Sequence, residues 1–396
     1  MKKACFFLWL FACCLLLGGC GGGQEIESCL FVLAMSVDPA PDGNLTVTIK
    51  ALSGTQETAS GAADASAQPS SSAEGSPPPG DGGLEATEPG YIVMSATAPS
   101  CLRALNMLSS TTPRTVNLSQ LREIVISRTL AETDATLSIL REIHSMYRAN
   151  GEAIVVVTPD DAGDFIRRQR AILGVRLSKY LEVLFEHFSQ MDTIPADAQL
   201  ASVIAAMESD MIDATAVYAA GNAFDSDIVL GGADMDRLPG HLPRTSPAEN
   251  EYLGCALFSG PRMTGMLTGE ETGLLRLMMG EAQRQSTFIE NALYRVNLPT
   301  RVRRRIDEDG TLSVHISMNL KHEAGEQASS AGEIAAQIER EAVAVLLLLR
   351  AASCDAVGFG RIAIRKSPDI PSWEARNWPD EYERLDVRVS ADVRIQ

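Results

Sequence analysis

The stretch from Gly54 to Gly90 constrains the fold of this chain more than any other. It is dominated by Ala, Ser, Pro, Gly and Thr with scattered acids, has no Lys or Arg, and holds Leu84 as its one bulky apolar residue. Such a composition cannot bury enough surface to offset the entropy of ordering it, so residues 54–90 read as a disordered insertion. Strand-like sequence stands on both sides. Leu30 to Val37 and the alternating Leu45-Thr46-Val47-Thr48-Ile49 precede it, with Pro39, Pro41 and Asp42-Gly43 as a turn between them, and Tyr91-Ile92-Val93-Met94 follows it. The first two read as a hairpin, and the third resumes the same domain beyond the insertion.

The N-terminus sets where such a domain would fold. Lys2 and Lys3 precede an apolar run from Ala4 to Leu16, and Leu17-Gly18-Gly19-Cys20 closes it. That order is a secretory signal ending in a lipobox, with residues 1–20 as the signal peptide and Cys20 as the lipid attachment residue. A cleaved signal with a free Cys20, or a buried helix, are the weaker readings. The run is short of the ~20 apolar residues that a span needs. Acyl chains on a cysteine contribute about 0.8 kcal/mol per buried methylene, enough for two or three of them, palmitate among them, to hold a protein on a bilayer. Gly21 to Gly23 would then be a flexible spacer.

Beyond the signal, residues 21–53 and 91–230 read as one N-terminal α/β region of one or two subdomains. Leu102, Leu105 and Leu108 repeat at helical spacing after Pro99, Leu121 to Ser127 is strand-like, Leu137, Leu140, Ile143 and Tyr147 make a second helical face, and Ala153 to Val157 a second strand. Further helices are expected over 177–188 and 196–207. Residues 231–250, with Gly231-Gly232, Pro239-Gly240, Pro243 and Pro247, read as a linker. Residues 251–396 then form a C-terminal domain with strands at 252–258, 294–296, 301–306 and 312–318. A long helix from about Gly332 to Leu349 carries Ile334, Ile338, Ala342, Val345 and Leu349 on one face, and an alternating strand closes the chain. The fold class is α+β and multi-domain, with mixed sheets and packed helices, the long helix lying against an antiparallel or mixed sheet.

The chain offers little catalytic chemistry. A formal charge of −17 makes nucleic acid a poor partner. Five histidines form no HExxH pattern, and only His315 and His322 lie near one another in sequence, so no metal site and no cofactor are expected. Gly358-Phe359-Gly360-Arg361 suggests a dinucleotide fingerprint, but a helix precedes it and an extended segment is expected after it, the reverse of what that motif needs. Its glycines instead let the backbone turn off the helix while Phe359 packs inward. Cys29, Cys101, Cys255 and Cys354 are scattered; a disulfide is permitted outside the cytoplasm, though such cysteines are more often small buried hydrophobes. One basic cluster stands out in the acidic background: alternation puts Arg301, Arg303 and Arg305 on one strand face and Val302 and Arg304 on the other. A solvated face is the commoner meaning; a docking patch for an acidic partner or lipid headgroups is the other.

Several segments together resemble the C subunit of spore nutrient-germinant receptors, the Ger(x)C family. They are Phe31-Val32-Leu33-Ala34-Met35-Ser36-Val37-Asp38 after a lipobox, Gly254-Cys255-Ala256-Leu257-Phe258, Met263-Thr264-Gly265-Met266-Leu267, Glu271-Thr272-Gly273-Leu274-Leu275, Asp355-Ala356-Val357-Gly358-Phe359-Gly360, Asn377-Trp378 and the closing strand Val387 to Ile395. The resemblance is dense from 252 to 396 and looser from 26 to 220. It implies a non-enzymatic receptor subunit of three α+β domains, anchored through Cys20 beside A- and B-type integral membrane subunits, on the extracytoplasmic face of the membrane (the inner spore membrane in a spore former). A solute-binding lipoprotein serving a transporter is the alternative; it requires two similar lobes around a cleft.

Overall fold

The computed structural model describes residues 28–53, 90–147, 149–173, 176–223, 238–244, 246–283, 286–289, 292–325 and 330–396. Cys20, residues 54–89 of the insertion and residues 231–237 of the expected linker lie outside them.

The first sheet is built around β1 (Cys29–Pro39), whose near-continuous apolar run suits a strand covered on both faces. It pairs antiparallel with β2 (Leu45–Leu52), and β2 pairs antiparallel with β3 (Tyr91–Ala98), so the strands on either side of the insertion are neighbours. On its other side β1 runs parallel to β5 (Glu123–Ser127) and, at its start, to the short β4 (Thr115–Asn117), which the sequence pattern had not indicated. The sheet continues in parallel through β6 (Ile154–Thr158) and β7 (Thr215–Gly221), then antiparallel through β8 (Asn250–Ser259) and β9 (Arg262–Leu267), nine strands among the described residues. A bulge in β1 shifts the partner from Ala51 at Val32 to Lys50 at Ala34. The extra residue lets Val32 and Met35 enter one core while Leu33 and Ala34 enter the other.

Helices Cys101–Ser109, Thr136–Tyr147 and Leu200–Met207 cover one face of this sheet, and Ala162–Arg168 and Leu177–Met191 cover the other. The helix expected from 196 starts only at Leu200. Ala198 accepts a hydrogen bond from Val155 N (2.8 Å) and Gln199 bridges to Ile154, so 198–199 run extended beside β6.

The second sheet has the order β10 (Ser286–Ile289), β11 (Ala292–Ile306), β12 (Leu312–Gly325), β13 (Val387–Ile395), with β12 and β13 parallel. A parallel pair needs a crossover, and the Ala331–Ala351 helix supplies it. Ser330 caps that helix in a reciprocal box with Glu333, and Ile334, Ile338, Ala342, Val345, Leu346 and Leu349 are buried under it. The protein is thus α+β and multi-domain, with mixed sheets, as the periodicity indicates.

The two units share a wall. Ala256, Phe258 and Met263 of β8 and β9 face the first core, while Cys255, Leu257 and Leu267 of the same hairpin face the second. The sequence division at 231–250 marks a loop by its composition, yet the hairpin that follows it belongs to the first sheet. Loop composition carries no information about which sheet the next strand joins. No helix among the described residues is long and apolar enough to cross a membrane.

Candidate functional site

Of the segments that carry the resemblance, Gly254 to Phe258, Met263 to Leu267, Asp355 to Gly360 and Asn377-Trp378 meet at the junction of the two units. The long helix ends at Ala351, Ser353 takes a left-handed conformation (φ 51), and the chain drops Asp355 into the interior. One carboxylate oxygen of Asp355, Oδ1, accepts from the backbone N–H groups of Gly358 (2.9 Å) and Phe359 (2.9 Å). The other, Oδ2, accepts from Gly360 N (2.6 Å) and from the Trp378 indole Nε1 (3.0 Å). Gly358 stands at φ +80, and a Cβ on Gly360 would lie 2.7 Å from both Met211 O and Trp378 Nε1. Both glycines are therefore required by the turn that wraps Asp355.

The first unit grips the same turn. Asp213, in the loop before β7, accepts from Asp355 N through Oδ2 (2.8 Å) and from Gly260 N through Oδ1 (3.2 Å), and Asp213 N donates to Asp355 O (3.3 Å). Asp210 in that loop accepts from Trp373 Nε1 (2.6 Å), and Trp373 stacks on Trp378 with centroids 6.0 Å apart. Burial pushes the Asp355 carboxyl up to about 7 against the lowering effect of its hydrogen bonds, with the Asp213 charge adding to the rise. Asp213 is raised too, again by burial first. With both Asp355 oxygens each holding two donors, no acceptor position is left for a substrate. The arrangement is a clasp between units.

The outer face of the second sheet is the other candidate. As alternation requires, Arg301, Arg303 and Arg305 pair across β12 with Ser317, His315 and Ser313, and those pair across β13 with Asp392, Ser390 and Arg388. Val302 and Arg304 point the other way, Arg304 donating to Val357 O (2.7 Å). Arg303, Arg305, Ser313, Val314, His315, Arg388 and Ser390 line a shallow groove of about 210 Å³. Asp307 meets Arg305 at 2.6 Å and Arg388 at 3.7 Å, and Asp392 meets His315 at 3.4 Å.

The remaining expected residues separate. His315 bonds Ser390 and Ser317, while His322 lies within β12, not beyond its end, and packs edge-on to Tyr294. Among the described residues no group of three His, Cys, Asp or Glu could hold a metal. Cys29, Cys101, Cys255 and Cys354 are all buried. After Gly358 the chain forms a helical turn, Gly360–Ala363, where an extended segment was expected. The cause is local: three successive N–H groups turn onto Asp355. Cys20 lies outside the described residues.

Residues 22–220 match the spore germination protein N-terminal domain, and residues 253–396 match the spore germination B3/GerAC-like C-terminal domain. The chain belongs to this GerAC-like family of spore germination receptor subunits. The crystal structure of the GerBC protein is similar at 14% identity, covering 91% of this chain and 96% of that one, with a TM-score of 0.44. No curated protein matches the chain.

Within this GerAC-like chain, one buried polar group escaped the sequence reading. Lys50 on β2 and Glu123 on β5 flank the small Ala34 of β1 on the same face. Lys50 Nζ donates to Gln169 O and Ile166 O, and Glu123 accepts from Gln169 Nε2 and from Tyr252 OH (3.2 Å). Burial raises Glu123 to about 7. The available signal was a Lys and a Glu beside apolar residues in two strands, Ile49-Lys50-Ala51 and Glu123-Ile124-Val125.

Proposed function

We propose that this chain is the lipid-anchored C-type subunit of a nutrient-germinant receptor. Lipid on Cys20 holds it on the extracytoplasmic face of the membrane, the inner spore membrane in a spore former. It acts by protein contact with A- and B-type integral membrane subunits and performs no catalysis. The observation that carries this reading is the family match across both units, which associates the whole architecture with spore germination. The lipobox ending at Cys20 supports the anchor. The saturated carboxylate of Asp355 supports a structural use for the most distinctive motif. A solute-binding reading needs two like lobes, and the units here differ, one a sheet of nine strands and the other of four.

Cys20→Ala tests the anchor. The variant is expected in the soluble fraction of washed, detergent-free membranes, where the parent chain stays bound; full retention of the variant would remove the lipid from the account.

A further inference from the structure

We propose that the groove on the outer face of the second sheet is a phosphate-binding site, centred on Arg303 and Arg388, that takes the phosphate of an anionic phospholipid headgroup.

The groove is chemically unlike the rest of the chain. Its lining contains three guanidinium groups (Arg303, Arg305, Arg388), two hydroxyls (Ser313, Ser390), an imidazole (His315) and, among the described residues, no carboxylate, in a protein of formal charge −17. The strand register places these groups side by side: Arg305, Ser313 and Arg388 form one row across the sheet, and Arg303, His315 and Ser390 the next. Cross-strand neighbours sit about 5 Å apart and alternate residues on one strand about 7 Å apart. Arginines on β11 and β13 have β12 between them, about 10 Å across the sheet, a span their long side chains can close on one anion, as those of Arg305 and Arg388 already do on Asp307. Planar forks with several donors are the groups best matched to a tetrahedral oxyanion.

The counter-charges already present are lopsided. Asp307 serves both Arg305 and Arg388, whose side chains remain 73% and 63% exposed, and also accepts from Ser313 Oγ. Asp392 serves His315. Among the described residues, Arg303 has no carboxylate within ion-pair distance. The second groove, lined by Arg303, Arg304, Arg361 and Arg365 with Val302, Gly358 and Ile362, continues the basic surface around the same strand.

Size indicates the kind of ligand. At about 210 Å³ the first groove is smaller than pockets that enclose a whole small molecule, roughly 300–1,000 Å³, so it suits a charged group carried on a larger body. For a chain tethered at a bilayer that body is a phospholipid, and this last step rests on the proposed lipid anchor. Free phosphate esters share the chemistry and are separated from the headgroup by experiment.

The test uses the full chain as Cys20→Ala, which carries no lipid, so that failure of the groove and failure of the anchor are distinguishable. Its cosedimentation with phosphatidylglycerol vesicles is compared with that on phosphatidylcholine vesicles, and inorganic phosphate is titrated separately by calorimetry. Binding to phosphatidylglycerol is expected to exceed that to phosphatidylcholine. It should fall about 25-fold in R303A/R388A, at about fivefold for each basic residue lost near an anionic surface. Asp307→Asn, which frees Arg305 and Arg388 of their shared carboxylate, is expected to tighten it. Thermal unfolding of each variant reports whether the fold is intact. Saturable binding of inorganic phosphate that R303A/R388A abolishes, without vesicle selectivity, would keep the site and reassign its ligand to a soluble phosphate. Vesicle and phosphate binding that is equal in parent and R303A/R388A chains would overturn the site, as would loss in that variant of an acidic protein partner alone.

Discussion

Replacing Asp355 with Asn sets two effects against each other, and pH separates them. The amide Oδ1 still accepts from Gly358 and Phe359, but Nδ2 faces two donors, Gly360 N and Trp378 Nε1. Two buried donors left unpaired at ~1–3 kcal/mol each cost about 2–6 kcal/mol. Above about pH 7, where the folded carboxyl is ionised, the same change also removes a buried charge. The sign follows from linkage: folded Asp355 keeps its proton up to about 7 while the unfolded chain releases it near 3.8. The folded state therefore binds more protons in that window, and this carboxyl's contribution to stability declines as pH rises through it. Between pH 5 and pH 8 the loss is about 3 kcal/mol. The parent chain suffers it and the Asn variant does not. D355N is thus expected to be less stable than the parent by several kcal/mol at pH 5, with the deficit shrinking by about 3 kcal/mol at pH 8. Urea unfolding followed by tryptophan fluorescence reads this locally, because Trp373 and Trp378 both sit at the clasp and the third tryptophan is Trp9. A deficit that stays constant from pH 5 to pH 8, or is absent at pH 5, would refute the reasoning.

Lys50→Met removes the cation beside Glu123 and the donor to Gln169 O, so unfolding free energy should drop by about 3–5 kcal/mol, with part recovered when Glu123→Gln is added; urea titration of single and double variants measures both. Gly360→Ala forces a methyl to within 2.7 Å of Met211 O and Trp378 Nε1, and a loss of about 1–3 kcal/mol in thermal or urea unfolding is expected. Cys101, Cys255 and Cys354 are buried, with burial raising Cys101 to about 12 and the other two further. A thiol reagent at neutral pH should leave them unmodified in the folded chain and modify them after denaturation.

Much of the secondary structure was legible because it rests on periodicity. Ile334, Ile338, Ala342, Val345 and Leu349 repeat at helical spacing and form the buried stripe of the Ala331–Ala351 helix. Arg301, Arg303 and Arg305 alternate and share a face. What stayed hidden depends on distant pairs. Nothing local in Thr115–Asn117 announces pairing with β1, and nothing in Asn250–Leu267 states that this hairpin closes the first sheet and also walls the second core. The clasp was half visible: the glycines around Phe359 were read as a turn, but its cause is Asp355 gathering donors from that turn and from Trp378, with Asp213 holding it from the first unit. Likewise Lys50 and Glu123 lie far apart in sequence and meet because β1 carries the small Ala34 between them.

The central claim, that this chain works as one subunit of a membrane receptor, is tested most directly by purifying the tagged chain from detergent-solubilised membranes of its native cells and identifying the proteins that accompany it. Two integral membrane subunits of germinant-receptor type are predicted. A transporter permease in their place, or the chain alone from membranes that contain those subunits, would contradict it.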